Sequence, residues 1–139
     1  MAETYTYWIS TALLSLLYLS SAFLYVTRRD FVRQAQADLG YEAAHLVTFM
    51  IVVKILGPIA ILSRVSVPLS DLAYAGIFYH LLLSGMAHLG VRKPRGALPA
   101  AIGLALLAAS FATQNAARET PSPYAPAAAE HHITLTDRS

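Results

Sequence analysis

Four uninterrupted apolar runs, each long enough to cross a lipid bilayer, leave this chain of 139 residues almost no freedom in how it can fold. In a hydrocarbon core every backbone N–H and C=O must be paired inside the segment that carries it, so runs of about 20 apolar residues become helices. The runs lie at about residues 7–27, 44–62, 69–89 and 98–113, and at 1.5 Å per residue they span roughly 25 to 30 Å with little tilt. The expected fold is an all-α membrane protein, a bundle of four transmembrane helices. Composition agrees, with 56% hydrophobic and 13% charged residues. The first run lacks a basic leading segment and is too long for a signal-peptide core, so it is read as a span.

The connections are short. After the first span, Asp30 is placed to cap a short helix that stops at Gly40 and puts Phe31, Ala35 and Leu39 on one side, as a helix on the membrane surface would. Gly57-Pro58 inside the second run can kink that helix and free a carbonyl. Beyond about residue 117 proline, alanine and polar residues show no periodicity, so residues 1–117 are expected to form one domain and 118–139 a disordered tail. Glu130, His131 and His132 in that tail offer no fixed metal geometry, and no metal site is expected.

Charge placement speaks to topology. Arg28, Arg29 and Arg33 fall in the first connection and Arg92, Lys93 and Arg95 in the third, whereas the second holds Arg64 alone. The positive-inside rule then puts the first and third connections in the cytoplasm and both termini outside, in what reads as a bacterial inner membrane. The net charge of +2 is explained by these two clusters and gives no sign of a nucleic-acid partner. With no cysteine, thiol catalysis, thiolate zinc and iron–sulfur ligation within the chain are excluded.

Candidate functional residues are the polar groups that the runs carry into the bilayer. Lys54 lies in the middle of HLVTFMIVVKILGPIAIL. A charge at that depth costs about 2.5 to 3.5 kcal/mol on insertion scales and ordinarily faces a partner or a cavity. Counting from the span ends puts Lys54 ~12 Å deep and His80 ~15 Å deep, and Tyr18 near the middle of the first span reaches the same level. Gly76, His80, Ser84 and His88 recur at i, i+4 spacing and are expected to face the bundle interior. Asp71 is the acid best placed to balance Lys54, and Tyr74 lies near it. The candidate pocket is therefore Lys54, His80, Tyr18, Tyr74, Ser84, His88 and Asp71. His80 and His88 stand ~12 Å apart on one helix and cannot share a metal. Bland roles compete with functional ones: Lys54 snorkelling or pairing with Asp71, and the histidines bonding to neighbouring helices.

Ordered motifs carry a resemblance. Leu39-Gly40-Tyr41 before the second span, Lys54-Ile55-Leu56-Gly57 within it, Asp71-Leu72-Ala73-Tyr74-Ala75-Gly76 opening the third and Gly85-Met86-Ala87-His88 closing it occur in that sequence. Together they resemble the DoxX-like family of small four-helix membrane proteins, over about residues 8 to 113. The pattern departs at Asp71-Leu72, where Glu-Trp is the family form. The resemblance implies membrane redox work, since the family takes its name from a subunit of a thiosulfate:quinone oxidoreductase. On that basis a quinone is the cofactor to consider and a larger membrane or redox complex the partner, with an oligomer also open. Two other classes stand beside it: a small membrane isomerase or hydrolase using a desolvated Lys54 as base, and a non-catalytic scaffold that binds a partner protein. A transport path has less support, because no acid accompanies Lys54 at its depth.

Overall fold

A computed structural model describes residues 1–128. Five α-helices follow one another: α1 (Ala2–Thr27), α2 (Arg29–Asp38), α3 (Leu46–Ser63), α4 (Val67–Gly90) and α5 (Leu98–Thr113). Short 3-10 turns at Pro94–Ala97 and Gln114–Ala117 extend the last helix at both ends. Four spans are long and apolar enough to cross a membrane: Ala2–Thr27, Leu46–Ser63, Val67–Gly90 and Pro94–Ala117. They close into a ring in which α1 packs between α3 and α5, and α4 completes the circuit between the same two helices. Large apolar side chains such as Leu16, Phe23, Phe49 and Leu83 point outward, where lipid replaces the water that a soluble fold would have to exclude.

Local sequence accounts for the helix ends. Ser66 adopts extended backbone and its hydroxyl accepts from the Leu69 N–H at 3.2 Å, with Pro68 in the first turn, so α4 begins two residues before the apolar run suggested. Gly40, at φ +88°, ends α2 in the left-handed conformation that glycine tolerates. One detail of the surface helix differs from expectation. Its cap is Arg28, so Asp30 sits inside the first turn, where it favours the helix dipole without capping. The helix buries Val32 against Val47 and Ile51 and leaves Phe31 exposed, about 100° away around the axis.

The interior is partly polar. Small and hydroxyl-bearing residues let the helices approach: Tyr7, Thr11, Leu14, Ser15, Tyr18 and Ala22 line the buried face of α1. At the end of the bundle where α1 begins and α5 ends, the Ser110 hydroxyl lies 2.6 Å from Thr11 Oγ1 and 2.6 Å from Tyr74 Oη, tying α5 to α1 and α4 at once. Arg64 closes the same end, donating to the Ala117 carbonyl while its guanidinium lies 5.5 Å from the Trp8 ring centre. At the opposite end an exposed Lys93–Asp38 pair, 3.8 Å apart, joins the two basic connections.

The segment expected to be disordered is in part tied down. Asn115 Nδ2 donates to the carbonyls of Ser122, Ala125 and Pro126, Asn115 Oδ1 accepts from the Ser122 N–H, and Ser122 Oγ donates to Asp71 Oδ2. Residues 118–128 thus lack regular structure yet fold back on the bundle, because one buried asparagine supplies the pairing that a helix or strand would. The tail residues Glu130, His131 and His132 lie outside the described residues.

Ser110→Ala should strand the Thr11 and Tyr74 hydroxyls in the interior and lower stability by about 1 to 3 kcal/mol. Unfolding of purified protein in detergent, followed by circular dichroism, checks this; an unchanged midpoint contradicts it.

Candidate functional site

Three residues that the sequence places at one depth do come together. Lys54 is 5% exposed, on the inner face of α3. Its Nζ lies 5.1 Å from the centre of the Tyr18 ring and 4.9 Å from that of Tyr25, both on α1. Tyr18 Oη reaches across the bundle to His80 Nδ1 on α4 at 2.6 Å, and the two rings meet edge to face at 5.6 Å. One cation, one phenol and one imidazole therefore form a connected cluster in the middle of the bilayer, held by three different helices.

The expected ion pair does not form. Asp71 turns away from Lys54, accepting from Ser122 Oγ at 2.8 Å and from Gln114 Nε2 at 3.5 Å. The axial rise explains this. Lys54 is nine residues from the end of α3 and Asp71 only four from the start of the antiparallel α4, a mismatch of ~8 Å. Among the described residues no carboxylate pairs with Lys54, and two tyrosine rings take the place of a counter-ion. Each aromatic face compensates a cation by about 0.5 to 2 kcal/mol, so one ring alone returns less than the cost of placing it there.

Pro58 adds a feature that sequence reading only half anticipated. α3 runs unbroken through it, and the carbonyl that loses its N–H partner is that of residue i−4, which is Lys54 itself. The same residue thus brings a buried ammonium and a carbonyl without its intrahelical bond.

The remaining candidates divide between other places. Tyr74 belongs to the hydroxyl cluster with Ser110, and Asp71 to the network with Ser122 and Gln114. His88 Nδ1 donates to the Ser84 carbonyl at 2.9 Å, and its ring packs on Gly96, where any Cβ would collide with it. Ser84 and His88 serve the α4–α5 turn. The anticipated inward stripe is also corrected. Ser70, Tyr74, Ile77 and Leu81 form the buried face of α4, His80, Ser84 and His88 are half-buried along it, and Gly76 is exposed, one residue and about 100° from Ile77.

Residues overlooked in the sequence include Thr11, Ser110, Gln114 and Arg118. Arg118 is 9% exposed and its Nε donates to Gln114 Oε1 at 3.1 Å, so Gln114 stands between Arg118 and Asp71 and bonds both. The signal was present as a four-residue recurrence of polar side chains, Ser110, Gln114 and Arg118, running out of an otherwise apolar helix.

Comparison with known proteins fits this arrangement. The model of the DoxX-like family matches residues 9–110. The chain belongs to the DoxX-like family. No curated protein and no solved structure matches it. The matched region takes in Tyr18, Lys54 and His80 and ends at Ser110, leaving Gln114, Arg118 and the folded-back segment outside it.

Lys54→Met should leave the protein folded and at least as stable, because it fills the same space with no buried charge to compensate. A clear loss of stability in detergent unfolding would mean that the ammonium holds α1 to α3. Tyr18→Phe and His80→Leu should be non-additive by about 0.5 to 3 kcal/mol in a double-mutant cycle, as expected for a direct hydrogen bond. Simple additivity contradicts the contact.

Proposed function

We propose that this DoxX-family membrane protein is an accessory subunit in quinone-linked redox metabolism, and that Lys54, Tyr18 and His80 are its working residues. The observation that carries this reading is the 2.6 Å contact between Tyr18 Oη and His80 Nδ1, beside a buried lysine with no carboxylate partner among the described residues. A quinone, when bound, supplies a lipid-soluble acceptor of two electrons and two protons. The residues fit such a group: the Lys54 ammonium is a donor for a quinone oxygen. His80, engaged through Nδ1, keeps Nε2 to meet the ligand, and Tyr18 lies between the two, its ring against the ammonium and its hydroxyl on His80. Electrons come from a partner subunit in the same membrane.

The cost of burying Lys54 supports a role beyond packing, since methionine would fill the same space without a charge. The charge pattern of the connections favours both termini outside, which puts the Ser110 cluster at the outer face.

Protein purified in mild detergent should release a stoichiometric quinone into organic extract, identified by mass spectrometry. Lys54→Met and His80→Gln should each lose it while keeping the wild-type helical content. Extract without quinone, from protein that copurifies with a partner regardless of these substitutions, would instead establish a scaffold.

A further inference from the structure

A second site lies on the outer surface of the bundle, well away from Lys54. Between α4 and α5 runs a cleft of about 840 Å³, within the roughly 300 to 1,000 Å³ typical of small-molecule sites. Its walls are mostly leucine, alanine and aromatic side chains, with one carboxyl group among them, that of Asp71. Tyr74, Phe78, Tyr79 and Phe111 supply aromatic rings, in T-shaped pairs Tyr74–Phe111 and Phe78–Tyr79 at 5.4 Å each. Tyr124, from the folded-back segment, contributes a fifth ring at the Asp71 end.

One carboxylate among aromatic faces in an apolar cleft is complementary to one kind of ligand. Aromatic faces attract cations and repel anions, and the attraction grows when the cation leaves water. Asp71 adds a carboxylate, which accepts from the neutral donors Ser122 and Gln114. Arg118, the nearest arginine in this network, bonds to Gln114 and does not line the cleft. We propose that the α4–α5 cleft binds an amphipathic amine, its ammonium on Asp71 among the tyrosine rings and its hydrocarbon chain along α4 and α5.

The depth of Asp71 selects a free amine over a bilayer phospholipid. Asp71 lies four residues inside α4, ~6 Å below its start. The ammonium of a zwitterionic phospholipid is the outermost part of its head, beyond the phosphate. Reaching Asp71 would drag that phosphate into the apolar cleft. An amine attached directly to its chain meets no such obstacle, and it can enter sideways from the lipid.

The test uses the full chain in dodecyl maltoside, with octyltrimethylammonium as the probe and octyl glucoside and octyl sulfate as chain-matched neutral and anionic controls. Octyltrimethylammonium should raise the Tm saturably, and the controls should not. Asp71→Asn and Tyr79→Leu should each weaken the response at least tenfold. Ser122→Ala, which removes the bond to the folded-back segment but keeps the carboxylate, should change it less than threefold. Equal shifts with octyl glucoside, an unaffected Asp71→Asn variant, or a Ser122→Ala variant as impaired as Asp71→Asn would each overturn the proposal. So would a tightly retained phosphatidylethanolamine that the probe cannot displace.

Discussion

A cation in hydrocarbon with no carboxylate partner among the described residues is the constraint around which this bundle is arranged. Insertion of Lys54 costs about 2.5 to 3.5 kcal/mol, and each aromatic ring returns about 0.5 to 2 of it, so one ring alone falls short. The surrounding structure reads as a response to that imbalance. Tyr18 and Tyr25 come from one face of α1, seven residues apart, so that two rings flank a single ammonium. Tyr18 then needs a partner for its hydroxyl in an apolar interior, and His80 provides it from the diagonal helix. α1 and α4 are thereby linked across the bundle although they are not neighbours in the ring.

Polar groups in this interior sort into two levels with different characters. The mid-bilayer cluster consists of three titratable side chains with little redundancy, a composition suited to moving protons or meeting a polar ligand head. The cluster at the terminal end is rich in hydroxyls and amides: Thr11, Ser110 and Tyr74 form one knot, and Gln114 joins Arg118 to Asp71 in another. Its role in the fold is clear, because it secures the last helix and the folded-back segment to the rest. Interior packing supports both levels. At Gly103 an added Cβ would come within 2.9 Å of Leu81, which shows how closely α4 and α5 approach between them.

Much of the fold was legible because lipid makes the code simple. Long apolar runs must be helices, and Gly40 marks an end whose backbone glycine readily accepts. The Lys54, Tyr18 and His80 grouping was legible for a related reason: on straight helices, depth follows from counting residues. The same counting rules out the Lys54–Asp71 pair, and what failed beyond it was an inference that depends on rotation about a helix axis. Gly76 points outward because a shift of one residue turns a face by about 100°, and the apolar runs lack the amphipathic contrast that would reveal it.

Taken alone, the sequence determined the four spans, the surface helix, the family and the level of each buried polar group. The spans, the surface helix and these levels follow from hydropathy, local backbone chemistry and axial rise, which act within a segment, and the family from the ordered motifs. Only the tertiary structure decided that the Lys54 ammonium would rest on the rings of Tyr18 and Tyr25. It also assigned Tyr74 to Ser110 and turned residues 118–128 back to meet Asp71. Those choices depend on which helices are neighbours and how each is rotated. In a chain whose lipid-facing and core-facing residues are almost equally apolar, packing between helices sets that rotation.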